Sequence, residues 1–427
     1  MIHGLKNGNT ETGQPDPKEL KHSMNDHQQH LDMISERVRR IMDSENIDAL
    51  VATSSENFYY LSGHQSAFMY TLRMSEVGLA VHFRDPGRKA VVIMNDFEAA
   101  GFAGDSERYE VRTYPTWVDV DDPLHLKGGS YQGKRPVSPQ AEEMFGVLQQ
   151  VLEEYGISRG RIAAELDLMR HSSVMALRKA CPDISELAEA GPIFTRLRAI
   201  KTPWEIQQLR RACAYAEAGV EYAVREIEPG VSAAEIVDAF RRSLMRNPDG
   251  STPRFHMISV GDHFAPVQVF DTRPSQPGDV IKFDVGVEVA GYGSDIARTF
   301  VLGEPADVTK RIYEALRRGH DRLLQTIEPG MPMQAAFQEG MSVIRAAGLS
   351  QYNRGHLGHS AGLSLAAEEG PFISPSETAV FEPNMVVCIE TPYYGYGIGA
   401  IMIEDMLLIT ENGVERLNRL STDLVSL

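Results

Sequence analysis

The most informative stretch of the chain, residues 280–300, reads VIKFDVGVEVAGYGSDIARTF. Two apolar runs flank the small residues near 289–291, which is typical of a β-hairpin. Asp284 and Asp295 are equally distant from the centre of this hairpin, so the pattern predicts that they face each other on one side. Facing carboxylates repel each other, and an apolar strand tolerates such a pair only when a cation or a proton lies between them.

A second acidic pair follows the same pattern further along the chain. Apolar runs at 385–390 and 400–404 each end in a glutamate, and Glu390 and Glu404 are symmetric about Gly397. The spacing therefore predicts that these two carboxylates also face each other across neighbouring strands.

A histidine lies between the two acidic pairs. Residues 354–363 read RGHLGHSAGL, and their small side chains leave room for the imidazole of His359. Taken singly, an acid is usually a solvated surface group and a histidine is more often a hydrogen-bonded structural residue. Taken together, the pattern predicts these metal ligands: Asp284, Asp295, His359, Glu390 and Glu404. This oxygen-rich set suits a pair of divalent ions such as Mn²⁺, Co²⁺, Fe²⁺ or Zn²⁺.

The flanking segments predict an arm and two domains. Residues 1–29 are mostly polar and predict a disordered arm. Residues 30–190 alternate helical and strand patterns, beginning with an amphipathic helix over 30–45, and predict a small α/β domain. Residues 191–427 combine paired helices with antiparallel strands and predict an α+β domain.

The composition excludes several classes of partner. The chain has 427 residues, with 42 basic and 59 acidic side chains and a formal net charge of −17. That excess of acid disfavours a nucleic-acid surface and docking on an anionic membrane. There is no apolar run of membrane-spanning length, the first residues do not resemble a signal peptide, and the three cysteines form no CxxC motif. We therefore expect a cytoplasmic protein that acts on a small molecule.

The five predicted ligands resemble, in order and spacing, those of the pita-bread metallopeptidases, which include methionine aminopeptidase, aminopeptidase P, prolidase and creatinase. Four further segments resemble the aminopeptidase P and prolidase branch: residues 55–63, 197–206, 228–230 and 403–405. The resemblance implies a pita-bread C-terminal domain preceded by a smaller creatinase-like α/β N-terminal domain. It also implies two divalent ions, Mn²⁺ before the others, and commonly a homodimer.

The chain departs from that branch at three positions. Its peptidases usually carry two substrate-contacting histidines and an arginine near the last ligand. At these positions this chain has Val267, Ala366 and Met402. His263 and His256 are candidates to replace the first histidine, and His356 is a candidate to act near the metals. Because one preorganised donor to an oxyanion is worth about 3–4 kcal/mol, we expect weak turnover of Xaa-Pro peptides unless such residues substitute.

The ligand set and the resemblance imply a dinuclear metal-dependent hydrolase similar to Xaa-Pro dipeptidases and aminopeptidases. A bridging hydroxide would attack the amide carbonyl, Glu390 would carry the proton, and His356 or His263 would assist the oxyanion. The alternative is a metal-dependent lyase or C–N hydrolase of a small zwitterionic metabolite, similar to dimethylsulfoniopropionate lyase or creatinase. A non-catalytic binding protein is the third possibility, which the intact ligand set disfavours.

Overall fold

The computed structural model describes residues 17–102, 107–118, 133–247, 251–263, 271–363 and 368–427, with only the backbone described over 17–24. Val267 and Ala366, two of the positions that depart from the peptidase pattern, lie outside these residues. Within the described ranges, no helix has the length and apolarity needed to cross a bilayer.

The first unit is built on a six-stranded sheet. Its strands are β1 (Ala49–Ala52), β2 (Gly78–Phe83), β3 (Ala90–Asn95), β4 (Tyr109–Tyr114), β5 (Arg161–Ala164) and β6 (Glu186–Glu189). Its helices are α1 (Pro17–Glu45), α2 (Ser55–Ser62), α3 (Ala67–Tyr70), α4 (Asp96–Ala99), α5 (Ala141–Glu154), α6 (His171–Ala180) and α7 (Gly191–Ala199). The strand order is β4-β3-β2-β1-β5-β6, with both parallel and antiparallel neighbours. Every residue of β1 and β2 is buried, so helices cover the centre of this sheet on both sides.

The structure corrects one part of the predicted arm. Residues 17–29 belong to α1, which begins at Pro17, whereas the first sixteen residues lie outside the described ranges. The imidazoles of His27 and His30 pack on Trp204, with ring centroids 4.8 and 4.6 Å away. The Nδ1 atom of His30 also lies 2.8 Å from the hydroxyl of Thr202. The helix therefore has a tertiary partner more than 170 residues away, which a local reading of polar composition does not detect.

The second unit surrounds an eleven-stranded sheet. Its helices are α8 (Pro203–Val224), α9 (Ala233–Leu244), α10 (Asp307–Thr326) and α11 (Met333–Ala346). The strands before residue 320 are β7 (Thr252–His256), β8 (Ser259–Val260), β9 (Val280–Val289), β10 (Tyr292–Gly293) and β11 (Ile296–Val301). The later strands are β12 (Gly358–Ser360), β13 (Glu369–Phe372), β14 (Val386–Glu390), β15 (Tyr393–Gly395), β16 (Gly399–Ile401), β17 (Glu404–Thr410), β18 (Gly413–Arg416) and β19 (Val425–Ser426).

The central path of that sheet runs β10-β9-β11-β17-β14-β12-β13, while β15 and β16 form a separate two-stranded sheet. The two helix pairs pack on opposite faces, as the alternation along β14 indicates. Val386 and Cys388 join the core beneath α8 and α9, whereas Val387 and Ile389 join the core beneath α10 and α11. Helices thus cover the middle of the sheet on both faces, so acidic side chains at that position are buried. The predicted domain boundary at residues 190 and 191 stays a prediction.

The first predicted hairpin exists, but its register differs by two residues from the prediction. Ala290 and Gly291 both have positive φ and form the two-residue turn between β9 and β10. Asp284 therefore lies opposite Ala297, not opposite Asp295. Because side chains alternate with a period of two, a shift of two residues keeps both carboxylates on the same side of the ladder.

The second predicted pair is confirmed. Glu390 is the direct partner of Glu404 across β14 and β17. The segment between them turns at Gly397, which has a φ of 72°, and the pairing of β15 with β16 continues the same register.

Candidate metal centre

Three of the five predicted ligands converge at the middle of the large sheet. Asp295 immediately precedes β11, His359 lies in β12, and Glu404 begins β17. Their ligand atoms, together with the sulfur of Cys388, all lie within 4.8 Å of one another. The Nε2 atom of His359 is 3.8 Å from Asp295 Oδ2 and 3.6 Å from Glu404 Oε1. All of these side chains are buried.

The tautomer of His359 follows from its second nitrogen. Nδ1 lies 3.0 Å from the carbonyl oxygen of Ser360, which can only accept a hydrogen bond. Nδ1 therefore carries a proton, and Nε2 faces the two carboxylates. This is the arrangement that holds a ligand histidine in place before a metal binds.

The electrostatics of the cluster favour a cation. Burial, with the neighbouring carboxylates of Glu404 and Asp284, raises the pKa of Asp295 well above its usual range. Burial and the charges of Glu390 and Asp284 do the same to the pKa of Glu404. The Oδ1 atom of Asp295 is buried and has no hydrogen-bond partner among the described residues. An unsatisfied carboxylate oxygen in a cluster of mutually repelling acids fits a divalent ion, which supplies the missing positive charge.

Cys388 is a neighbour of this cluster that sequence reasoning did not assign to it. Burial raises the pKa of its thiol well above the usual value. The thiol therefore stays protonated near neutral pH, and its sulfur lies 3.8 Å from the carbonyl oxygen of Asp295.

The other two predicted ligands have cationic partners. The Oδ2 atom of Asp284 is 2.9 Å from the ammonium of Lys282. The Oε1 atom of Glu390 is 3.0 Å from Nη2 of Arg354 and 3.1 Å from Nδ1 of His356. Neither Lys282 nor Arg354 was predicted as a site residue. Lys282 was detectable, because it precedes Asp284 by two residues on one strand and hence shares its face.

His356 lies beside the cluster. Its ring centroid is 6.3 Å from that of His359, and its two nitrogens face Glu390 and Glu368. Hydrogen bonds to Glu368 and then Glu390 raise its pKa to about 9. These two carboxylates therefore favour the protonated form of the imidazole.

The remaining candidates occupy different surroundings. His263 is exposed, and its Nδ1 atom lies 3.2 Å from Asp271, outside the two groups of potential ligand atoms found in the described ranges. His256 lies on β7 opposite Val285, where its Nε2 atom is 2.7 Å from Arg241. Met402 is buried, and its sulfur is 3.9 Å from the hydroxyl of Tyr394.

A buried ion pair supports the cluster from behind. Arg298 donates to the carbonyl oxygen of Glu404 at 2.8 Å and to Asp405 Oδ1 at 2.5 Å. Asp405 also lies 3.3 Å from Nε2 of His320. This network fixes the backbone at Glu404, so the carboxylate enters the cluster from a rigid strand.

An acid-rich site at the centre of a helix-covered sheet, with one histidine oriented by a backbone carbonyl, is the kind of site that binds divalent metal ions in metalloenzymes. Residues 207–411 match the sequence profile of Metallopeptidase family M24, and residues 35–200 match the Creatinase/Prolidase N-terminal domain. The chain belongs to metallopeptidase family M24 and is a metal-dependent peptidase.

Individual relatives agree with this assignment. An Xaa-Pro dipeptidase of Pyrococcus furiosus is 31% identical over 245 residues, which cover 57% of this chain and 70% of that protein. An Xaa-Pro dipeptidase of Pyrococcus horikoshii is 25% identical over 400 residues, covering 92% of this chain and all of the relative. The crystal structure of the prolidase from Pyrococcus horikoshii OT3 shares the fold, with a TM-score of 0.74, 23% identity and coverage of 92% and 99% of the two chains.

These findings confirm the family resemblance, the fold class and the prediction of a metal-dependent hydrolase. They do not favour the alternative reactions, because the curated relatives are named as peptidases. The family implies divalent metal ions, and the carboxylate cluster is chemically suited to hold them.

Proposed function

We propose that this chain is a manganese-dependent dipeptidase that hydrolyses Xaa-Pro peptides. The observation that carries the proposal is the buried, unpartnered Oδ1 atom of Asp295, surrounded by other acids and one oriented histidine. Two ions would be held by Asp284, Asp295, His359, Glu390 and Glu404. The Xaa-Pro substrate class is supported by the names of the two Pyrococcus relatives.

Residues of this chain would transfer the proton and stabilise the oxyanion. Bound divalent ions would supply a Lewis acid that lowers the pKa of water towards neutrality. Glu390 would accept the proton and pass it to the leaving nitrogen, with Arg354 and His356 orienting its Oε1 atom. His356 lies beside the cluster, and we infer that it would donate to the developing oxyanion. The role predicted for His263 stays a prediction, because its described partner is Asp271.

The substrate proposal is tested with matched peptides. Protein stripped by a chelator and reloaded with Mn²⁺ is assayed on Ala-Pro, on Ala-Ala and on the tripeptide Ala-Pro-Ala. We expect cleavage of Ala-Pro that depends on metal and exceeds cleavage of the other two. Equal cleavage of Ala-Ala would contradict the Xaa-Pro preference, and preferred cleavage of the tripeptide would indicate an aminopeptidase instead.

The absence of three donor side chains predicts a low catalytic efficiency. With Val267, Ala366 and Met402 in place of donor side chains, we expect kcat/KM for Ala-Pro near the lower end of the usual range of about 10⁴–10⁸ M⁻¹s⁻¹. His356→Ala should lower kcat by a further factor of about 10² if that side chain has taken over part of the missing role. An unchanged kcat would exclude His356 from the reaction.

The compartment and the assembly are also part of the proposal. The three cysteines are free and buried, which supports a reducing compartment such as the cytoplasm. A homodimer is the assembly that the family resemblance implies. Analytical ultracentrifugation should therefore give about twice the chain mass of 47.4 kDa, and a monomer would exclude the dimer.

A further inference from the structure

Lys282 is the least expected side chain at the metal centre. It is 3% exposed, and its ammonium donates to Asp284 Oδ2 at 2.9 Å. The same nitrogen lies 5.6 Å from the ring centroid of Tyr394. A lysine is rarely buried this deeply unless its charge is paired, so the contact with Asp284 accounts for its position.

The predicted ligands consequently divide into two unequal groups. The side chains of Asp295, His359 and Glu404 converge on one another, whereas the ammonium of Lys282 pairs with Asp284. Asp284 is not one of the converging group, and its carboxylate pairs with the ammonium of Lys282. The subsite formed by Asp295, His359 and Glu404 is thus open to a metal cation. Asp284, which would complete the second subsite, is already paired with the ammonium cation of Lys282.

We propose that the ammonium of Lys282 is a built-in counter-ion that competes with the second divalent ion for Asp284. The chain then binds one ion at Asp295, His359 and Glu404, and a second ion binds only when Lys282 leaves Asp284. This inference rests on the metal centre of the proposed function and adds a role for Lys282 in the filling of its second subsite.

The competition follows from distance and charge. A metal–carboxylate bond is about 2.0–2.2 Å long, so an ion on Asp284 would lie within a few ångströms of the ammonium if Lys282 stayed in place. Two such cations repel strongly in a buried site, where screening by water is weak. Lysine has a flexible stem, so its ammonium can leave Asp284 and still stay near the ring of Tyr394, whose centroid lies 5.6 Å away.

Metal stoichiometry tests this inference without relying on activity. Wild type, Lys282→Met and Lys282→Arg are stripped with a chelator and dialysed against a series of free Mn²⁺ concentrations. Bound manganese per chain is then measured by mass spectrometry, and spin-coupled ion pairs are detected by electron paramagnetic resonance. Lys201→Met is the matched control, because Lys201 is an equally buried lysine that bonds to the hydroxyl of Ser360 and not to a predicted ligand.

We expect wild type to bind its second ion at least about 10-fold more weakly than its first, since a nearby unit charge opposes it. In Lys282→Met the second ion should bind about 10-fold or more tightly than in wild type, with a spin-coupled signal at lower Mn²⁺. Lys282→Arg should keep the weak second site because it keeps the charge, and Lys201→Met should bind metal as wild type does.

Three results would overturn the inference. They are two equally tight ions in wild type, a second ion that binds Lys282→Met no better than wild type, and a tighter second ion in Lys282→Arg. If Lys282→Met does not fold, the wild-type isotherm and Lys282→Arg still decide the question. Absence of manganese from all proteins would overturn the metal centre itself, whereas stepwise binding without Xaa-Pro cleavage would overturn only the proposed substrate.

Discussion

Each of the two large sheets buries an acid, and the two acids are stabilised in different ways. Glu165 follows β5 in the first unit and accepts hydrogen bonds from the backbone nitrogens of Thr53 and Ser54 and from the side chain of Asn57, at 2.5–2.9 Å. Asp295 precedes β11 in the second unit, and its Oδ1 atom has no partner among the described residues. Both side chains are almost inaccessible to solvent.

The difference separates a structural acid from a functional one. Both carboxylate oxygens of Glu165 accept hydrogen bonds from donors at the start of α2, so this acid joins the helix to the sheet without a ligand. Asp295 has carboxylates as neighbours, which costs stability unless a cation enters. Burial alone does not distinguish the two acids, but their hydrogen-bond partners do.

The largest expected effect comes from removing the unpartnered charge. Asp295→Asn should lose metal and lower activity by more than about 10³-fold, beyond the loss typical of one polar contact. The metal-free variant should nevertheless be at least as stable as metal-free wild type, because one repelling charge is gone. Metal analysis checks the loss of metal, and urea unfolding checks the stability of the metal-free variant. A variant that keeps its metal would refute the ligand assignment.

Glu390→Gln should have the second largest effect. An amide cannot accept the proton, so kcat should fall by about 10²-fold or more while part of the metal is retained. Assays at saturating Mn²⁺ and substrate separate this loss from weaker binding. A kcat close to that of wild type would exclude Glu390 as the proton carrier.

Glu165→Gln should affect stability and leave metal binding unchanged. The new amide group would meet the donors of Ser54 and Asn57, and we expect the free energy of unfolding to fall by about 1–3 kcal/mol. Metal per chain and kcat of the folded protein should match wild type. A loss of bound metal in this variant would remove the distinction between the two acids.

The smallest expected effect concerns another buried group of the first sheet. His82 lies on β2 with Nε2 3.1 Å from the carbonyl oxygen of Leu61, and burial lowers its pKa from 6.5 to about 4. Between these values the unfolded chain binds more protons than the folded one, so stability falls as the pH falls. The slope contributed by His82 is at most about 1.4 kcal/mol per pH unit.

His82→Gln should remove that contribution. The unfolding free energies of variant and wild type should differ by a constant above pH 7 and converge between pH 6.5 and 4. Parallel curves over the whole range would show that His82 does not titrate in this way.

Sequence patterns predicted those parts of the site that depend on local alternation. The facing of Glu390 and Glu404 followed from symmetry about Gly397, and the structure has this register. The predicted register of Asp284 and Asp295 was wrong by two residues. The turn is formed by Ala290 and Gly291, which have positive φ, and the symmetry of the apolar runs does not reveal which residues form the turn. Because side chains alternate between the two faces of a strand, an error of two residues still left both carboxylates on the predicted side of the sheet.

Long-range contacts account for what the sequence did not predict. Arg354 reaches Glu390 from 36 residues away, and the stacking of α1 on Trp204 spans more than 170 residues. Neither contact has a periodic signal. The hydrogen bonds of Glu165 also join residues that are 112 positions apart, so the donors that stabilise this buried acid were not predictable from composition or spacing.

The most direct test of the metal assignment is unfolding with and without Mn²⁺ in three proteins: wild type, Asp295→Asn and Glu165→Gln. A ligand that binds only the folded chain adds about 2.7 kcal/mol of stability at 100 times its Kd. We predict this gain in wild type and in Glu165→Gln, and its absence in Asp295→Asn. An equal gain in all three proteins, or no gain in wild type, would contradict the claim that the unpartnered acid of the large sheet is held for a metal ion.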